Sequence, residues 1–168
     1  MDERRSEPNM QTSVDDKDYG KRLLAARERS GKTIAEMAAL LGLSWESYRD
    51  LEMFDEEILD SLSLQELVTL SKALGIDLVE FFSDGVSKPE ESVSLDVLAG
   101  KINEYLAAHS LTVPEFEEAV GWEVANFLSE PSQFMNLNLD GLMDVTRPLG
   151  IDWRAVLADL YPQITPMS

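Results

Sequence analysis

Within "LGLSWESYRDLE", Leu41 to Glu52, one arginine stands among acids. Arg49 carries a planar fork of donors suited to a phosphate or to a guanine edge. Ser44 and Ser47 are hydroxyl donors at helical spacing, and Thr33 and Lys32 stand a short distance upstream. Glu46 and Asp50 can accept from cytosine N4, but a carboxylate more often repels a phosphate backbone. Trp45 offers an aromatic contact to whatever partner meets it.

Other chemistries are narrowed by composition. The chain has one histidine, His109, and no cysteine, so a Cys/His nucleophile, a thiolate-rich zinc site and disulfides are excluded. His109 falls at the end of a helical stretch and reads as a capping or surface residue. "DEEILD" has acids without the spacing or glycine of a calcium loop and reads as a solvated acidic face. There is no glycine-rich phosphate loop. No set of side chains converges on a reaction, and the expectation is a non-enzymatic protein without cofactor or metal.

The elements that must position these residues follow from periodicity and caps. "DYGKRLLAARERSG" puts Tyr19, Leu23, Leu24 and Ala26 on one stripe and stops at Gly31. "TIAEMAALLG" opens with Thr33 and Glu36 at capping-box spacing, buries Ile34, Met37, Ala38 and Leu41, and closes on Gly42. Ser44 caps a third helix to about Glu52, with Tyr48 and Leu51 inward. Ser63 and Glu66 open a fourth helix that ends at Gly75, and Asp77 caps a short fifth in "DLVEFF". No run of alternating β-branched residues is long enough for a strand.

The pattern then recurs. "TIAEMAALLGL" aligns with "TVPEFEEAVGW" at an offset of 79, pairing Thr33 with Thr112, Glu36 with Glu115, Met37 with Phe116 and Gly42 with Gly121. "ALGIDLVEFF" aligns with "PLGIDWRAVL" at an offset of 75, so the connection after the third helix is four residues shorter in the second copy. By this alignment Trp122 and Trp153 take core positions. The expected organisation is a disordered tail over 1–17, a domain over 18–84, a linker over 85–93, a degenerate second domain over 94–161 and a tail over 162–168. The fold class is all-α, two tandem five-helix units.

Residues 20–82 resemble the lambda-repressor-like (Cro/CI-type) helix-turn-helix domains. The residues carrying the likeness are "GKRLLAARERSGKTIAEMAALLGLSWESYRDLE" and "LQELVTLSKALGIDLVEFF". The order matches: an amphipathic first helix, a Thr-started second helix with inner Ala38, a glycine turn, a Ser-started third helix, then Leu-Gly before the fifth. Residues 94–160 resemble the same domain faintly. The resemblance implies a transcription regulator that binds double-stranded DNA, its contact positions falling on Ile34, Ser44, Trp45, Glu46, Ser47, Arg49 and Asp50; Thr33 can donate to a phosphate beside them, and Lys32 stands near the same helix start. One departure is Ile34, which stands where a DNA-contacting Gln is common.

Charge pulls the other way. Thirty-two acids face fourteen bases, a formal net charge of −18. Between Thr33 and Asp60 there is one Arg and no Lys against eight acids. A carboxylate a few ångströms from a phosphate costs on the order of 1 kcal/mol in a wet groove, and several erode nonspecific affinity. Lys21, Arg22, Arg27, Arg29 and Lys32 cluster on the first helix and its exit. They form either a solvated face balancing nearby acids or, for Lys32 and Arg22, a phosphate contact.

The competing expectation is therefore a protein-interaction module whose acidic face meets a basic partner or mimics DNA toward one. In the second copy, "EVANFLSEP" has no cation. Val124 and Leu128 would face outward in the DNA-reading geometry and, with Phe134 and Met135, suggest an interface with the first copy, a homodimer mate or another protein. The N-terminus lacks the apolar stretch of a signal peptide, and no apolar run approaches the roughly 20 residues needed to span a bilayer. A cytoplasmic protein without membrane contact is expected.

Overall fold

The computed structural model of the chain describes residues 18–83 and 88–160. The tails expected over 1–17 and 162–168, and part of the linker expected over 85–93, lie outside them. The described residues are mostly helical and contain no strand. An isolated antiparallel bridge joins Ser63 to Asn138.

In the first half, α1 (Tyr19–Ser30) packs on α3 (Trp45–Met53), and α2 (Ile34–Leu41) packs across α3 and α5 (Leu64–Leu74). A single turn, α4 (Glu57–Asp60), links α3 to α5, and α6 (Leu78–Phe81) follows. The sequence pattern does not anticipate α4. It is four residues long and has one fully buried anchor, Ile58. "DEEILD" is thus only partly the solvated face expected of it.

The second half runs α7 (Leu95–Ala108), α8 (Val113–Val120), α9 (Ala125–Ser129), a 3₁₀ helix (Pro131–Asn136), α10 (Leu139–Thr146) and α11 (Trp153–Leu160).

Local chemistry sets the boundaries. Thr33, Ser63 and Thr112 each accept a hydrogen bond from the backbone N–H three residues on, and Glu36, Glu66 and Glu115 accept from the capping residues' own N–H groups. Gly42 and Gly121 end α2 and α8 at φ 71° and 83°, in the left-handed region where an L side chain is disfavoured. Asp77 accepts from Val79 N–H at 2.9 Å, and 75 residues on Asp152 accepts from Arg154 N–H at 3.0 Å.

Buried side chains of both halves form one continuous cluster. Leu23, Met37, Tyr48, Leu51, Leu67 and Leu70 fill it on one side, and Ile102, Phe116, Phe134, Leu139 and Leu142 on the other. Each fully buried large apolar side chain contributes roughly 1.5–3 kcal/mol relative to exposure. Between the halves, α4 meets α10, the 3₁₀ helix meets α5, and α6 meets α11. Leu64 N–H donates to the Leu137 carbonyl at 2.8 Å, Asn138 Nδ2 to the Asp60 carbonyl at 2.9 Å, and Arg154 Nε to the Phe82 carbonyl at 2.9 Å. Phe82 stands edge-on to Trp153, centroids 6.0 Å apart. Trp153 is half-buried rather than fully in the core, as are Trp122 and Phe127.

Among the described residues no helix is long and apolar enough to cross a membrane.

Candidate helix-turn-helix surface

The turn between α2 and α3 is held from both sides. Leu43 N–H donates to the Ala38 carbonyl at 2.8 Å, closing the chain over Gly42. Ser44 then caps α3: its Oγ accepts from Ser47 N–H at 3.0 Å and donates to Ser47 Oγ at 3.0 Å. Ala38, Met37 and Leu41 face the core from α2, and Tyr48 and Leu51 from α3. The 3.6-residue period therefore turns the other face outward. Ser44, Trp45, Glu46, Ser47 and Arg49 are exposed, and Asp50 is half-buried.

Arg49 is not idle on that face. Its Nη2 lies 3.4 Å from Asp50 Oδ1, and its guanidinium sits 5.6 Å from the centre of the Trp45 ring. Both are surface contacts worth a fraction of a kilocalorie to about 1 kcal/mol, so a stronger partner can displace them. Thr33 is exposed, and Lys32 is half-buried with its carbonyl accepting from Arg27 Nη1 at 2.9 Å. Ile34 packs against the core. Glu36 is held below the usual carboxylate range, first by the Thr33 backbone N–H and then by its hydroxyl, so the cap stays anionic.

Three charges of the first half, Arg27, Glu52 and Asp55, are withdrawn from the exposed faces. Arg27 is not solvated. It binds Glu52 through Nε to Oε2 at 2.6 Å and Nη2 to Oε1 at 3.1 Å, with side chains only 12% and 6% exposed. The hydrogen bond to Glu52 raises the Arg27 pKa further. Tyr48 lies beside this pair. Burial, then the Glu52 charge, push its phenol well above the ordinary tyrosine range, and its hydroxyl makes no hydrogen bond among the described residues. Asp55 is withdrawn as well: its carboxylate accepts from Asp18 and Gly20 N–H at 3.1 and 3.0 Å and so caps α1. Glu46, Glu56 and Asp60 remain exposed. Met53 and Phe54, at the far end of α3, are 62% and 51% exposed.

The second half differs at the same place. Val124 is not outward-facing as expected; it is fully buried. The physical reason is that it caps α9 from a non-helical conformation and turns its side chain into the core. Its N–H, with that of Ala125, is taken by the Glu117 carboxylate at 2.7 and 3.0 Å. Phe134 is likewise fully buried, its ring 4.7 Å from Phe127. Leu128 and Met135 are half-buried against the core. Neither Val124 nor Phe134 is available to an outside partner, and the 3₁₀ helix bearing Phe134 and Met135 packs on α5 of the first half.

Sequence reasoning missed Glu117. The signal was there: the repeat alignment sets it opposite Ala38, a small buried position where a carboxylate needs a reason. His109 sits at the C-terminal cap of α7, its Nδ1 3.0 Å from the Tyr105 carbonyl and its ring stacked on Tyr105. Among the described residues no group of three or more His, Asp or Glu is placed to hold a metal ion.

No family model, no curated protein and no solved structure matches this chain.

Proposed function

We propose that this chain is a DNA-binding transcription regulator made of two tandem lambda-repressor-like domains, reading duplex DNA through α3 of the first. The observation that carries this reading is the α2–Gly42–α3 turn. α3 is capped by the neutral Ser44 hydroxyl and α2 by Thr33 together with the Glu36 carboxylate, and Ser44, Ser47 and Arg49 face solvent from α3. Helix N-termini bind phosphate through their free amides, and outward side chains at the start of α3 reach base edges in a major groove. In this reading Arg49 contacts a guanine or a phosphate, Ser47 a base or phosphate, and Thr33, Ser44 and Lys32 the backbone. The tandem arrangement is supported by matched caps at offsets of 79 and 75, Thr33 with Thr112 and Asp77 with Asp152.

The test is a titration of the full chain against a random duplex library at several salt concentrations. Expected are steep salt dependence and a 10- to 100-fold loss of specific affinity in Arg49→Ala, matching the ~1–3 kcal/mol of one bidentate base contact. Absence of duplex binding at low salt would sink this reading.

A second reading has its own observation: Arg49 is paired with Asp50, and Met53 and Phe54 lie exposed near Glu56 in sequence. Such an acidic face with apolar members suits a basic protein segment. Glu46→Lys combined with Asp50→Lys would then abolish protein capture from a lysate. Recovery of nucleic acid alone would count against it.

A further inference from the structure

We infer that the protein reads a single, non-palindromic half-site and does so as one chain. This rests on the DNA-binding reading above and specifies its target.

The first ground is how the halves meet. Shifted by 75, Ser63 falls on Asn138, and these two residues bridge each other antiparallel. The same shift carries α4 onto the 3₁₀ helix and α5 onto α10; α4 meets α10, and α5 meets the 3₁₀ helix. It carries α6 onto α11, and these meet each other. Residue i meeting j′ while j meets i′ is the signature of a twofold contact. The surface through which a second copy of the first half would pair is therefore covered by the chain's own second half.

The second ground is that the second reading element is closed. Glu117 fills the amide end of α9, where a phosphate would sit. Glu123 is exposed just before the α9 cap Val124, and five residues past the cap, where Arg49 stands on α3, α9 carries Ser129. The helix is five residues long and has no cation. A phosphate arriving there meets two carboxylates instead of free amides. A symmetric dimer reads two half-sites about one helical turn apart; here only one of the two readers is open.

Selection of the full chain from a random duplex pool, followed by native mass spectrometry of the bound complex, decides the matter. The expected result is one contiguous motif without inverted repeat, at one chain per duplex. Arg49→Ala should erase the motif, and Asn126→Ala on α9 should leave affinity within twofold. An enriched inverted repeat with half-sites a turn apart, or two chains per duplex, overturns the half-site inference and leaves DNA binding standing. No enriched sequence and no binding at low salt overturns DNA binding itself, and the half-site with it.

Discussion

Arg27 on α1 holds Glu52 on α3 by two hydrogen bonds, 2.6 and 3.1 Å, in a nearly dry setting. The pair fixes α3, the helix that carries Arg49, against α1. Losing one partner leaves a buried charge uncompensated, which costs about 3–5 kcal/mol. Arg27→Ala and Glu52→Ala should each lower the urea midpoint by that equivalent. Arg27→Met with Glu52→Leu should recover most of it, because an apolar pair of similar volume removes both charges. A double variant as unstable as either single would show that the site needs the ions themselves.

Close approach of the same two helices makes Gly20 irreplaceable. A Cβ there would lie 2.5 Å from the Glu52 carbonyl oxygen, which is backbone and cannot swing aside. At Gly42 the space is open and only the positive φ resists a side chain, at roughly 1–2 kcal/mol. Gly20→Ala should therefore destabilise more than Gly42→Ala in thermal melts. The reverse order would mean that α1 shifts freely on α3.

Asn138 serves two contacts with its two amide atoms. Oδ1 caps α10 by accepting from Gly141 N–H at 2.8 Å, and Nδ2 reaches the Asp60 carbonyl across the halves. Asn138→Ala loses a cap worth about 1 kcal/mol and a hydrogen bond worth a similar amount. Asn138→Ser restores the cap alone and should fall midway in denaturant stability. Equality of the serine variant with the parent would show that the cross-half bond contributes nothing.

Stability should respond to pH through Asp140. Burial first, then the charges of Asp60 and Asp144, raise its pKa above the ordinary aspartate value. A group raised in the folded state adds stability that is complete below its unfolded pKa, about 3.9, and is lost as pH rises through the folded value. At neutral pH its charge is a liability, so Asp140→Asn should be more stable than the parent there. The gap should close as pH falls toward 4. A gap independent of pH would assign the effect to something other than ionisation.

Much of the fold was legible because caps are local. Thr33 with Glu36, Ser63 with Glu66, and the stops at Gly31, Gly42 and Gly75 are satisfied within a few residues and leave a readable spacing. Long-range choices were not legible. Nothing near Arg27 announces that its partner is Glu52, 25 residues away, and a run of acids read as one surface loses Asp55 to a cap and Glu52 to the interior. The repeat alignment points Val124 outward because it carries the first half's register over unchanged, whereas α9 begins one residue later than the alignment places it. The candidate site was legible in its positions and not in its pairings: Ser44, Ser47 and Arg49 are exposed as expected, but the Arg49 contacts to Asp50 and Trp45 depend on rotamers.

The meeting of Ser63 with Asn138 has one more consequence. In an assembly of identical chains every substitution is made twice, and an interface residue must suit its own image. Positions 63 and 138 belong to a single chain and already hold different letters. Each side can accept changes the other never sees. One half is thus at liberty to keep a ligand-facing surface while its counterpart trades that surface for support.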